Sequence, residues 1–289
     1  MNRVNVIAEN DALAQSVALV GCGWFGFALA KQLVHEGYRV TGSKRSVNEL
    51  SELTAAGIEA YPLQLGSDAQ SVPDAKALAG LFQTDYLIVN IPPRLKRGNA
   101  AYIEELQQLI ALTQGWQYQR LIFISTTGVY PAQDKLMSEA DAVAESSDSQ
   151  ILLDAEALFQ AQPNACIVRF AGLVGPKRHP GRFLAGKTDV SGANIAVNLV
   201  HLDDCVRAVS TIIAATRSGL SVAPIYNLCA PLHPTKSEFY QAAAQSLGLV
   251  APEFNQQSMP SKVIQADAIV TDLGFRYQYA SPLDMLAAC

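Results

Sequence analysis

The 289-residue sequence predicts an α/β fold, a doubly wound parallel sheet with a smaller C-terminal lobe. Three observations predict it. Apolar runs of strand length alternate with stretches of helical periodicity along most of the chain, the pattern of βαβ units and so of a parallel sheet. The first unit, residues 16–45, reads as strand, glycine-rich turn, helix and strand, and about 30 residues is the length of one crossover. Hydrophobic residues make up 49% of the chain, enough at this length for one large domain, or one plus a small lobe.

Taken in order, Ser16-Val17-Ala18-Leu19-Val20 is a continuous apolar run, as expected of a strand covered on both faces. Gly21-Cys22-Gly23-Trp24-Phe25-Gly26 breaks it, and a helix over 24–36 is stopped by Gly37. Further strands are expected at 39–42, 59–65, 86–91, 120–125, 166–171 and 225–228. Helices are expected between and after them at 46–56, 73–83, 99–114, 148–161, 203–216 and 235–247. The last opens on Pro234-Thr235-Lys236-Ser237-Glu238, where Thr235 caps and Glu238 completes a capping box. From 172 to 200 the chain turns glycine-rich and irregular, and after Pro231 it leaves the strand pattern. The expected division is therefore a first domain over 16–171, completed by about 197–230, with 172–196 and 231–289 forming the smaller lobe over the carboxyl edge of the sheet. No internal repeat or low-complexity linker is present, and Met1 to Gln15 reads as a short extension without an apolar leader core.

The glycine turn carries the first functional signal. A G-x-G-x-x-G string is weak alone, but between a strand and a helix it reads as a dinucleotide site. Gly21 permits the tight turn, Gly23 lets backbone approach a pyrophosphate, and Gly26 lets helix pack on strand. Free N–H groups and the dipole at the helix start favour the anion. The positions where an acid would bond the ribose hydroxyls read Gly42-Ser43-Lys44-Arg45-Ser46, with no acid before Glu49. A carboxylate repels a 2′-phosphate whereas Lys44 and Arg45 attract it, so the expected cofactor is NADP rather than NAD. The alternative is that Lys44 and Arg45 are solvated loop charges.

Composition narrows the rest. Net charge is −5 with no basic block, which argues against a nucleic-acid partner. No apolar run reaches the roughly 20 residues of a membrane span. Cys22, Cys166, Cys205, Cys229 and Cys289 lack C-x-x-C spacing and read as small core fillers of a reducing, cytoplasmic compartment. The four histidines show no ligand spacing, so no metal is expected. A monomer or homodimer acting on a small molecule is the expectation.

These motifs, with five more segments in order, resemble the extended short-chain dehydrogenase/reductases, in an atypical form. That group contains the NAD(P)-dependent sugar-nucleotide epimerases and dehydratases. The further segments are Val89-Asn90-Ile91-Pro92-Pro93, Ile124-Ser125-Thr126-Thr127-Gly128-Val129-Tyr130, Val168-Arg169-Phe170-Ala171-Gly172-Leu173-Val174-Gly175-Pro176, Asn198-Leu199-Val200-His201-Leu202-Asp203-Asp204, and Ile225-Tyr226-Asn227-Leu228. The resemblance implies a Rossmann fold with a substrate lobe and a carbonyl or nucleotide-sugar substrate. It implies that Asn90, Ile91, Pro92 and Pro93 wall the nicotinamide ribose, with Ser125 beside the cofactor. Thr126 would hydrogen-bond the substrate, although Ser125 and Thr127 are also candidate hydroxyls. Arg169 and His201 to Asp204 would hold sheet and lobe together.

One family element is absent. The catalytic Tyr-x-x-x-Lys should open the helix after the fifth strand, the tyrosine as general acid/base and the lysine lowering its pKa. Anchoring on Glu156 puts Asp148 at the tyrosine position and Leu152 at the lysine position. In any register the pair is missing, since no tyrosine lies between Tyr130 and Tyr226 and no lysine between Lys135 and Lys177. The readings left are an oxidoreductase or epimerase using another group (Tyr130, Asp148 or a substrate hydroxyl), a non-catalytic NADP(H)-binding sensor or regulator, and a structural member with a vestigial site. The loop Gly175-Pro176-Lys177-Arg178-His179-Pro180-Gly181-Arg182-Phe183 gathers basic side chains where the family binds a nucleotide-sugar phosphate; a solvated loop is the alternative.

Overall fold

A computed structural model describes residues 14–66, 75–93 and 99–289. Seven parallel strands form the central sheet: β1 (Ser16–Val20), β2 (Arg39–Lys44), β3 (Glu59–Pro62), β4 (Tyr86–Val89), β5 (Arg120–Thr126), β7 (Ala165–Phe170) and β10 (Ile225–Leu228). Their order is β3-β2-β1-β4-β5-β7-β10, which reverses direction between β1 and β4. In such a sheet, ligands bind outside the carboxyl ends at that reversal. All seven strands fall where the apolar runs predict.

Most of the strands are apolar and covered on both faces, whereas β3, at the sheet edge, is partly exposed. Val17 and Leu19 face α1 (Trp24–His35) and α6 (Leu202–Arg217). Ala18 and Val20 share the opposite core with α3 (Ala79–Phe82), α4 (Asn99–Thr113) and α5 (Ser147–Gln160). Register is continuous across the ladder, with Val20 opposite Ser43 on one side and Val89 on the other. α2 (Leu50–Ala55) follows a 3-10 turn at Val47–Glu49, together filling the helix expected at 46–56. The helix expected at 73–83 is shorter among the described residues. Only 79–82 are helical and 75–78 form a turn, while 73, 74 and the N-terminal extension up to 13 lie outside the described residues.

The remaining elements are small. β8 (Gly172–Val174) pairs with β9 (Leu199–His201), and β6 (Leu136–Met137) pairs with β11 (Val263–Ile264). Residues 136–137, placed by sequence within the first domain, thus lie beside the C-terminal segment. α7 (Lys236–Ser246) starts at the expected capping box: the Thr235 N–H donates to a Glu238 carboxylate oxygen at 2.8 Å, and the Glu238 N–H donates back to the Thr235 hydroxyl at 3.3 Å. α8 (Ala268–Leu273) and α9 (Pro282–Met285) complete the chain. Asp204 fixes this tail to the start of α6, its buried carboxylate accepting the N–H groups of Gln278 and Tyr279 at 2.7 and 3.1 Å. Among the described residues no helix is long and apolar enough to cross a membrane.

Candidate functional site

Three adjoining cavities, of about 410, 80 and 160 Å³, lie across the carboxyl ends of the strands. Asn90 and Pro92 border all three, so they form one groove. The largest sits over the glycine turn and the end of β2. The smallest is floored by Leu63 and Leu65 after β3. The third lies between the Asn90–Pro93 turn and the end of β5.

The glycines of the turn divide their work. Gly21 has φ +95°, and a Cβ there would stand 2.2 Å from the Asn90 carbonyl oxygen. A Cβ on Gly26 would stand 2.3 Å from the Gly21 carbonyl oxygen. Both residues are therefore required by close packing. A Cβ on Gly23 meets no atom within 4 Å, so this position faces open space. Gly23 is the N-cap of α1 and no side chain caps that end, so the first-turn N–H groups are free to meet an anion in that space. The turn is held from outside. Ser43 accepts the Gly21 N–H on its hydroxyl at 3.3 Å and the Cys22 N–H on its carbonyl at 2.9 Å, and Asn90 Nδ2 donates to the Gly21 carbonyl at 3.0 Å. The buried Ser43 hydroxyl thus serves the turn. The Cys22 side chain is buried in the core, where desolvation pushes its thiol up to about 12.

The end of β2 is basic but partly neutralised. Lys44 Nζ lies 2.5 Å from Glu52 and Arg45 lies 3.9 Å from Glu105. The Lys44 ammonium, and more weakly Lys177 and Lys31, hold the Glu52 carboxyl below its usual range. From the loop after β8, the carbonyl of Pro176 accepts the Trp24 indole N–H at 2.9 Å, and the Arg178 guanidinium lies 4.6 Å over the Trp24 ring. Sequence reasoning grouped Arg178 with Lys177, His179 and Arg182 as one anion-binding loop. The structure divides them. Arg178 borders the cavity over the glycine turn. His179 instead accepts the Gly181 N–H on Nδ1 and lies 3.3 Å from the Ser246 hydroxyl, with burial lowering its pKa.

The third cavity is mostly apolar, walled by Pro93, Phe123, Leu152 and Phe170. Leu152 occupies the place assigned to the absent lysine. Thr126 is half-buried there; its Oγ1 accepts the Gly128 N–H at 3.2 Å, leaving its O–H to donate. Ser125 also lines the cavity, but its hydroxyl donates to Glu156 at 2.6 Å. Glu156 forms a buried ion pair with Arg169, Nη2 to Oε2 at 2.7 Å.

Two candidate proton donors are not brought to this cavity. Tyr130 is buried beyond it; its hydroxyl donates to Asn227 Oδ1 at 2.6 Å and accepts from Arg169 Nη1 at 2.7 Å. Desolvation raises its pKa despite the guanidinium. Arg169 captures it because a buried guanidinium must satisfy all its donors. Asp148 is exposed on the first turn of α5, which Ser146 caps by accepting the Ser149 N–H. Neither Tyr130 nor Asp148 borders the three cavities. Of these two candidates, one hydroxyl is engaged in the core and one carboxylate faces solvent.

Sequence reasoning missed the apolar floor at Leu63 and Leu65, and Lys262. The half-buried Lys262 ammonium donates to the Tyr130 carbonyl at 2.6 Å and the Thr127 carbonyl at 3.4 Å, and desolvation lowers its pKa. It pins the C-terminal segment to the turn after β5. No signal local to these residues marks them. Among the described residues no cluster of side chains is arranged to hold a metal ion.

No protein-family model matches the chain. It is similar to protein YeeZ of Escherichia coli (strain K12), at 37% identity over 277 residues, covering 94% of this chain and 98% of that protein. Among solved structures it resembles MoeE5 in complex with UDP-glucose and NAD, with TM-score 0.72, 18% identity and coverage of 95% and 97%. It also resembles a UDP-glucose 4-epimerase with UDP-glucose from Thermotoga maritima, with TM-score 0.72, 15% identity and coverage of 94% and 96%. The chain thus shares the fold of these two solved structures.

Proposed function

The chain belongs to the family of Escherichia coli protein YeeZ, and on that premise we propose that it binds a nicotinamide dinucleotide, NADP in preference to NAD, and exchanges hydride with a carbonyl compound or nucleotide-sugar. The observation that carries this reading is the open space at Gly23, between an uncapped helix N-terminus and a groove that crosses the sheet reversal. A pyrophosphate fits there because the glycine leaves room and the N–H groups supply donors. Leu63 and Leu65 suit the adenine, Lys44 and Arg45 the ribose phosphate, and the Asn90–Pro93 turn the nicotinamide ribose. Residues 16–171 with 197–230 carry the cofactor, and 172–196 with 231–289 cover the substrate.

When bound, the dinucleotide supplies the hydride donor or acceptor. Thr126 offers its free O–H to a substrate oxygen. The apolar walls at Phe123, Leu152 and Phe170 keep water from the nicotinamide end. A missing general acid/base costs about 10²–10⁴ in rate, so unmodified UDP-sugars, the ligands of the two similar structures, turn over slowly or not at all. A second reading, a non-catalytic NADP(H) sensor, is favoured by one observation: the Tyr130 hydroxyl is engaged by Arg169 and Asn227 rather than facing the groove.

Calorimetry with the full chain tests the first claim. NADPH is expected to bind at least several-fold tighter than NADH. Equal affinities overturn the NADP preference, and binding of neither overturns the reading. An assay with NADPH and a panel of aldehydes, ketones and nucleotide-sugars then separates enzyme from sensor.

A further inference from the structure

We propose that Arg178, carried by the lobe, is a phosphate anchor of the dinucleotide groove, held in place by the contact of the lobe with Trp24. This rests on the dinucleotide reading above. Three cations border the cavity over the glycine turn: Lys44, Arg45 and Arg178. The first two have Glu52 and Glu105 for partners. Arg178 has no carboxylate within salt-bridge distance among the described residues; its contact is the face of Trp24, 4.6 Å away. Stacking uses the plane of a guanidinium and leaves its five edge N–H groups for another acceptor. Trp24 is the first residue of α1, directly after Gly23. An exposed guanidinium on that indole therefore stands at the mouth of the space that Gly23 leaves open.

The loop is shaped to hold it there. The Trp24 indole N–H donates to Pro176, two residues before Arg178. Gly175, at φ +149°, is pressed so closely that a Cβ would stand 3.3 Å from the Trp24 ring and 3.0 Å from Leu202. Lys177, between them, has φ +66° and lies near enough to Glu52 to lower its pKa, though less than Lys44 does. The loop thus runs from the glycine turn toward the end of β2. Two phosphates are within that span, the pyrophosphate common to both dinucleotides and the 2′-phosphate of NADP alone. Anchoring either from the lobe closes the groove over the cofactor, which the sheet residues alone leave open on that side.

The test is calorimetry of NADPH and NADH on the wild-type chain, Arg178→Gln and Arg178→Glu, with indole fluorescence as a second readout because Arg178 stacks on Trp24. Arg178 is exposed, so both variants are expected to melt as the wild type does. Loss of a charge-assisted hydrogen bond to phosphate is expected to weaken binding by about 10- to 100-fold, more for Glu than Gln. An equal loss for both dinucleotides assigns the contact to the pyrophosphate, and a loss for NADPH alone assigns it to the 2′-phosphate. If wild type binds and both variants bind both dinucleotides equally well, the anchor is overturned while the dinucleotide reading stands. If wild type binds neither, the underlying reading fails first.

Discussion

The two ends of the groove are built from different materials. Over the glycine turn the wall is backbone and cations: an uncapped helix start, an open glycine position, Lys44, Arg45 and Arg178. Under the Asn90–Pro93 turn the wall is hydrocarbon, and the polar groups behind it face each other. Ser125, Glu156, Arg169, Tyr130 and Asn227 form one buried network. Cations and free backbone N–H groups suited to phosphate are kept at one end. At the other, groups that could move a proton are tied into the core. Binding and proton transfer are thus separable properties of this architecture.

The contrast breaks most severely at Glu156. If the network is structural, Glu156→Ala leaves a buried guanidinium unpaired and costs about 3–5 kcal/mol of stability, read by urea denaturation. Full stability with lost substrate turnover would move the network into the active site. Gly23→Val tests the opposite end. It is expected to abolish NADPH binding with the melting temperature unchanged, because the Val side chain fills open space instead of clashing. Normal binding by the folded variant would place the cofactor elsewhere.

Smaller effects sharpen the comparison. Thr126→Val removes the free hydroxyl of the apolar end and is expected to lower any turnover about 5- to 150-fold, the equivalent of roughly 1–3 kcal/mol; unchanged turnover would remove Thr126 from the site. Arg45→Asp is expected to lower the NADPH/NADH affinity ratio several-fold in calorimetry, a moderate effect because Glu105 already offsets Arg45. An unaltered ratio would show that Arg45 is a solvated charge.

The smallest effect expected is in the lobe. Burial lowers the pKa of His233, so the unfolded chain takes up the proton first as pH falls. The stabilising contribution of this residue is present above the ordinary histidine value of about 6.5 and is lost below it. His233→Asn is expected to flatten the fall in melting temperature between pH 7 and 5, and an identical slope would dissociate His233 from it.

Much of this was readable from residue order. Most of the seven sheet strands are apolar runs with turn signals between them, a signal local to each run. β6, β8, β9 and β11 have two or three residues each, too few for any period, and exist only because a distant partner arrives. The glycine turn was legible because its three glycines answer to geometry within one crossover. The cation character of β2 was legible too, but not its neutralisation, since Glu105 comes from α4. The surroundings of Tyr130 were hidden for the same reason. Next to Thr126 in sequence it looks available, and only the approach of Arg169 and Asn227, 39 and 97 positions later, takes its hydroxyl away. Arg178 reaches the glycine-turn end of the groove through a loop whose Pro176 meets Trp24 across 152 positions.

The span of that buried network bears on how the chain folds. Its bonds close loops of very different length: Glu156 to Arg169 are 13 positions apart, Ser125 to Glu156 are 31, and Tyr130 to Asn227 are 97. Loop closure costs entropy that rises with length, and parallel strands pair slowly. The ion pair therefore has the shortest route to forming early, and the tyrosine bond waits for β10. A substitution at Asn227 should then speed unfolding and leave the folding rate nearly unchanged, whereas one at Glu156 should slow folding as well. The same five side chains that withhold a proton from the groove would thus record, in the two arms of a chevron plot, the order in which the sheet is assembled.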